Sequence, residues 1–159
     1  MADAKFAQEG RIVYETFCNA LKADGWNFTA HDEDMAITCG ARGDDLPMEL
    51  LVRIDCDRAL ITILSIIPTT FDEDKRVEGN LAVCVANQGM VHGCFDYDNT
   101  KGKIYFRLSN SFMGCKIGAE LCTYMIYCAC STVDNYNDKF LMMSKGMMTL
   151  EQFIKSENG

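Results

Sequence analysis

Residues 48–67 read MELLVRIDCDRALITILSII and predict two successive strands. In the first half, Met48, Leu50, Val52 and Ile54 alternate with other residues, a period of two that is typical of a strand with one buried face. Residues 59–67 are too few and too rich in β-branched side chains for a long helix, so they predict a second, mostly buried strand. Residues 55–58 form the turn between them. Adjacent strands in sequence favour antiparallel pairing.

The segment on the N-terminal side predicts one helix and two further strands. Apolar residues recur at helical spacing over about residues 6–24, and Gly25 stands where a helix C-cap falls. Residues 26–30 and 35–39 alternate between apolar and polar side chains, as half-buried strands do. The charged residues 31–34 form a turn between these two strands, and residues 40–47 form a loop.

The segment on the C-terminal side begins with a strand end and a helix start. Pro68 is expected to end the preceding strand, and Thr70 to Glu73 has the S/T-x-x-E form of a capping box. The helix that follows ends at Gly89. One face of this helix carries Val77, Leu81, Cys84, Val85 and Gln88.

The remaining chain completes the predicted architecture. Residues 93–97 and 103–110 predict two strands joined by a turn that ends in glycine. A long helix follows from residue 117, and a short one from Thr149, a capping residue, to about residue 155. The predicted order is α-β-β-β-β-α-β-β-α-α. This order indicates an α+β fold with an antiparallel sheet of five or six strands and helices packed on one face.

Composition limits the possible functions of the chain. Its 159 residues fit a single domain spanning 1–159, and 15 Lys+Arg against 23 Asp+Glu give a net charge of −8. An acidic chain is unsuited to broad electrostatic binding of nucleic acid or anionic lipid. No apolar run approaches the ~20 residues that span a bilayer, and the N-terminus does not resemble a signal peptide, so we expect a cytoplasmic protein without membrane insertion.

The nine cysteines are expected to be reduced structural residues. They are scattered through apolar segments, and no CxxC pair occurs. The cysteines therefore lack the spacing that is usual in zinc sites and in redox-active dithiols. We therefore expect neither a structural disulfide nor a bound metal.

One short motif invites a catalytic interpretation. Asp96-Tyr-Asp-Asn-Thr100 has the DxDxT form of a phosphatase nucleophile loop, and it also resembles the start of a calcium-binding loop. Another predicted strand follows immediately, and Arg107 occupies the last calcium-ligand position, so we interpret the motif as a hairpin turn. His31 and His92 lie far apart without metal-ligand spacing. We predict no catalytic, cofactor-binding or metal-binding residue, and hence a protein that is not an enzyme.

Contacts with another chain are the favoured mode of action. Leu51 and Tyr105 lie opposite the apolar residues that alternate with them, so both faces of the sheet carry apolar side chains. Helices on one side cannot cover both faces, and an uncovered apolar face tends to bind a second chain. We therefore predict a homodimer or a complex with a polypeptide partner. In the competing arrangement, the helix from Thr149 folds over the second face and closes a monomer.

A group of methionines near the C-terminus is a second candidate for partner binding. Met142, Met143 and Met147 lie among apolar neighbours. Methionine-rich surfaces adapt to varied partners, but methionine also fills gaps in cores, and both interpretations stay open.

Several segments between about residues 52 and 154 share a distinctive pattern of apolar positions. They are Asn80-Leu-Ala82 with residues 89–95, the hairpin 95–107, the helix 121–133, and Thr149-Leu-Glu-Gln-Phe-Ile154. This pattern resembles the YbjN family of proposed bacterial sensory-transduction regulators. The resemblance implies a type III secretion chaperone-like fold in a cytoplasmic, non-enzymatic adaptor or chaperone, often dimeric. The family supplies no active-site residues. The alternative is a small enzyme or ligand-binding protein, which a deep apolar pocket with convergent polar groups would favour.

Overall fold

The computed structural model describes residues 5–158, which form one antiparallel sheet and four helices. The strands are β1 (Phe28–His31), β2 (Ala36–Arg42), β3 (Pro47–Asp55), β4 (Leu60–Thr70), β5 (Cys94–Asp98) and β6 (Lys103–Ser111). The helices are α1 (Ala7–Ala23), α2 (Arg76–Asn87), α3 (Ala119–Ser144) and α4 (Leu150–Asn158). The sheet order is β1-β2-β3-β4-β6-β5. The predicted α+β architecture and element order are confirmed.

The hydrophobic core lies between the helices and one face of the sheet. Alternate residues of β3 are buried, as are Ile61 and Ile63 on β4 and Phe106 on β6. Phe17 of α1 and Phe153 of α4 are fully buried in the same cluster. All four helices therefore pack on the side of the sheet that the apolar alternation predicts, and the other side carries none of the described helices.

Pro68 lies inside β4, so the prediction that it ends the strand was wrong. The pairing of β3 with β4 runs only as far as Leu51 opposite Leu64, and the register between β4 and β6 shifts between Ile66 and Thr70. Because proline has no backbone N–H, it is tolerated in a strand where no ladder hydrogen bond is required of it. The irregularity provides such a position.

The start of α2 also differs from the prediction. Thr70 pairs with Lys103 at the end of β4, so it is unavailable as a helix cap. A single 3-10 turn, Glu73–Lys75, precedes α2 instead, and no side chain caps it. The capping box that does form is at α4, where Gln152 N–H donates to Thr149 Oγ1 at 3.2 Å and Thr149 N–H donates to the Gln152 side chain at 2.8 Å.

The two outer strands of the sheet are protected in different ways. β1 is only four residues long and runs into the acidic turn after His31. At the other edge, the Asn87 side chain binds the backbone of Phe95 on β5. Its amide donates to Phe95 O at 2.9 Å, and its carbonyl accepts from Phe95 N–H at 2.7 Å. At Phe95, one side chain thus makes the two hydrogen bonds that a neighbouring strand would otherwise make.

Candidate protein-interaction surface

An apolar strip runs across the uncovered face of the sheet. It consists of Leu51, Leu64, Ile66 and Tyr105, which we call the sheet-face strip. Leu51 lies directly opposite Leu64, and Ile66 directly opposite Tyr105. Ile66 is 59% exposed and the other three side chains are half-buried. Side chains alternate between the two faces along β3, β4 and β6. The core residues occupy one face, and the sheet-face strip occupies the other.

Charged side chains border the sheet-face strip. Glu49 and Arg53 lie two residues to either side of Leu51 on the same face of β3, and both are exposed. Near the other edge, Arg107 Nε donates to an Asp96 oxygen at 2.8 Å, and Arg107 Nη2 lies 3.2 Å from the second Asp96 oxygen. This bidentate contact raises the pKa of Arg107. The surface therefore has an apolar centre and a charged border, which is the arrangement of protein interfaces.

The C-terminal helix α4 leaves this face uncovered. Its Phe153 ring stacks on Phe140 with ring centroids 5.6 Å apart, and Leu150 N–H donates to a Glu78 oxygen of α2 at 3.1 Å. Near its end, Glu157 accepts hydrogen bonds from Tyr136 and Lys139 of α3. α4 is held against α2 and α3, so the competing arrangement in which it closes the second sheet face is wrong.

The methionine candidates lie on the helical side, away from the sheet-face strip. Met143 is 1% exposed and belongs to the core, so it is out of reach of a partner. Met142 is half-buried, and Met147, beyond the end of α3, is 64% exposed. The structure therefore brings Leu51 and Tyr105 to one surface, and separates both from the methionines.

A second exposed apolar surface lies on α2. Val77 is 74% exposed, Leu81 is 48% exposed, and Cys84 is exposed on the same face. The buried face of α2 carries small residues instead, because a Cβ on Gly79 would lie 2.8 Å from the Phe71 ring. The sequence places the apolar residues on one face, as observed. The sequence also contains a signal for the orientation of α2. Gly79, Ala82 and Ala86 form a row of small residues that permits close packing against the core, so the opposite, apolar face points outward.

The DxDxT residues form the expected hairpin turn. Asp98 accepts hydrogen bonds from the Thr100 hydroxyl at 2.6 Å and the Thr100 N–H at 2.9 Å, and these bonds hold its pKa below the usual range. Asp96 is engaged by Arg107. Both carboxylates therefore have structural partners. Within residues 5–158, no group of three or more His, Cys, Asp or Glu side chains is arranged to hold a metal ion.

The depression next to the sheet-face strip is shallow. It has a volume of about 320 Å³, opens broadly to solvent, and is lined by His31, Asp34, Ala36, Thr38, Leu51 and Arg53. Such a surface suits contact with a macromolecule better than enclosure of a small ligand.

The nine cysteines all lie in the described part of the chain and are free thiols. Burial raises the pKa of the Cys39 and Cys122 thiols to about 11. Burial, with Cys39 and Asp134 nearby, raises the pKa of Cys130 to about 12. These thiols are therefore protonated at neutral pH and behave as small apolar side chains. None of the helices between residues 5 and 158 combines the length and hydropathy of a transmembrane span.

Comparison with known proteins identifies the fold. No protein-family model matches the sequence, and no curated protein matches it. Among solved structures, a chain of the HopA1-SchA chaperone-effector complex aligns with a TM-score of 0.57 and 11% identity, over 82% of this chain and 96% of that chain. YbjN from E. coli, a proposed transcription regulator, aligns with a TM-score of 0.58 and 10% identity, over 84% of this chain and 91% of its own. The predicted YbjN-like, type III secretion chaperone-like fold is confirmed.

Proposed function

We propose that this chain is a non-enzymatic binding protein, an adaptor or chaperone-like module of the bacterial cytoplasm, that holds another polypeptide chain against the sheet-face strip. The observation that carries the proposal is that α4 packs on the helical side and leaves Leu51, Leu64, Ile66 and Tyr105 without cover from the described residues. An apolar centre with a charged border binds partners through burial of the centre. The fold shared with a chaperone-effector complex chain supports a polypeptide as the partner.

The proposal is tested by placing a charge at the centre of the strip. We expect Leu51→Glu and Tyr105→Glu each to abolish association with the partner chain, because burying an unpaired carboxylate is strongly unfavourable. Both side chains are only half-buried, so the fold is expected to survive, which urea unfolding checks. Association is measured by light scattering of the purified protein and by quantitative recovery of bound chains from the native cell extract.

Ile12→Glu is the matched control. Ile12 is 56% exposed on α1, on the opposite side of the sheet, so the same charge is introduced at an exposed apolar residue away from the sheet-face strip. We expect it to leave association unchanged. The proposal fails if the two sheet variants remain folded and still bind as the unmodified chain does, or if Ile12→Glu weakens binding equally.

A further inference from the structure

We propose that the occupant of the sheet-face strip is a second copy of this chain, packed face to face and antiparallel, with Glu49 of each copy against Arg53 of the other. The inference rests on the proposed function and specifies its partner. It follows from the order of the outward-facing side chains on β3, where acidic Glu49 is followed by Leu51 and then by basic Arg53.

The charges on β3 are self-complementary. Glu49 and Arg53 stand about 13 Å apart along the strand, with Leu51 midway between them. A two-fold axis that reverses the strand direction at Leu51 brings each Glu49 onto Arg53 of the second copy. An isologous interface requires this reciprocity, in which residue i contacts j and j contacts i. Within residues 5–158 neither side chain forms an ion pair or a hydrogen bond, so both charges are free to bind a partner.

The same axis matches the remaining rows of the face. Arg53, Thr62 and Ser109 form one row across the sheet. Ile66 and Tyr105 are paired on the other side of Leu51 and Leu64, the side on which Glu49 lies along β3. Reversing the strands lays these two rows over each other, so that Ile66 meets Thr62 and Tyr105 meets Ser109. Leucines 51 and 64 meet their own counterparts at the centre.

The charge of Arg107 does not oppose this arrangement. Arg107 lies in the same row as Leu51 and Leu64, close to the axis, but Asp96 already neutralises it at 2.8 Å. A parallel arrangement with the two-fold axis along β3 is unfavourable, because it places Glu49 on Glu49 and Arg53 on Arg53. Packed sheets are about 10 Å apart, a distance that leucine side chains fill and that long charged side chains span at the border.

The face is of moderate size. Six strands at about 4.8 Å spacing and some five residues of length give a surface about 29 by 17 Å. Such a contact belongs to the small end of specific interfaces, near or below about 1,200 Å² in total. Association is therefore measured by sedimentation over a concentration series that extends to high micromolar values.

The test exchanges the two charges separately and together. Glu49→Arg alone and Arg53→Glu alone each place two like-charge pairs in the homodimer, and we expect each to weaken self-association about 30-fold or more at low salt. Mixing the two single variants restores both ion pairs, because one copy then carries only bases and the other only acids at these positions. The double variant E49R/R53E restores them within one sequence. We expect a dimer in the mixture and in the double variant.

Several results would overturn the inference. They are a monomeric unmodified chain at every concentration, single variants that dimerise normally, or a mixture that stays monomeric. The control Glu9→Arg, an exposed reversal on α1, is expected to change nothing. If the charge exchanges have no effect but Leu51→Glu still abolishes recovery of a different polypeptide, this inference fails and the proposed function stands. If Leu51→Glu has no effect on any association, both fail.

Discussion

Replacing Asn87 with alanine removes both hydrogen bonds that satisfy the outer edge of β5. The affected groups are the N–H and C=O of Phe95, a residue that is only 2% exposed. Leaving a buried backbone group without a partner costs about 1–3 kcal/mol, and two groups are affected here. Asn87 itself is half-buried, so water restores part of the loss, and alanine is a slightly better helix former than asparagine. The net expectation is a loss of about 2–3 kcal/mol.

The assay is equilibrium urea unfolding followed by circular dichroism. For a slope of about 2 kcal/mol per molar urea, the midpoint for Asn87→Ala is expected to fall by about 1–1.5 M. Gln88→Ala is the control, because Gln88 is the exposed neighbour and its side chain makes no hydrogen bond to the described residues. We expect it to stay within about 0.5 kcal/mol of the unmodified chain. The reasoning is refuted if the two variants are equally stable.

Three further predictions concern the helical side and the thiols. Burial alone raises the pKa of Glu157, but hydrogen bonds from Lys139 and Tyr136 outweigh it and hold the pKa below the ordinary 4.5. The ionised carboxylate therefore stabilises the fold above pH 4.5, and this stabilisation is lost as the pH falls through the lowered pKa. Glu157→Gln should therefore flatten the acid-induced loss of unfolding free energy below that pH, and an unchanged acid profile would contradict this. Phe153→Ala should cost about 3–5 kcal/mol in urea unfolding, whereas Val77→Ala, at a 74% exposed site, should cost less than about 0.5; equal losses would show that α4 is not anchored as described. Iodoacetamide at pH 8 should label exposed Cys84 well before Cys122, which is buried and has a raised pKa, as mass spectrometry of the native protein would show. Prompt labelling of Cys122 would disprove its burial.

The strands and the long helices were predictable because their signal is local. The alternation of Met48, Leu50, Val52 and Ile54 fixes which face of β3 is buried, and the structure agrees at each of these positions. The two faces of one strand differ by the parity of residue number, so Leu51 and Tyr105 could be assigned to the second face from the sequence alone.

The failures concern positions where packing at a distance outweighs the local pattern. Pro68 is tolerated because β3 has stopped pairing with β4, which no local pattern reveals. Thr70 matches a capping residue but is taken up by pairing with Lys103. The position of α4 depends on the site for Phe153 beside Phe140, and these residues are brought together only by the tertiary fold. The sequence also provides no reason to select Glu49 and Arg53. They can be recognised as the charged border of a candidate surface only once the fold shows that the face between them is uncovered.

Asn87 also limits how large an assembly of this chain can become. A sheet with a free edge can accept strand after strand, and nothing in that geometry stops growth into a fibre. Here the amide of Asn87 occupies the β5 edge at Phe95, and β1 offers only four residues at the other edge, so both edges are poor templates for continued growth. On the sheet side, association is then limited to the face that the described helices leave uncovered, and a single partner saturates that face. If a second copy occupies that face as proposed, growth on the sheet side ends at two chains, and any other polypeptide partner has to compete for that face or use the exposed side of α2.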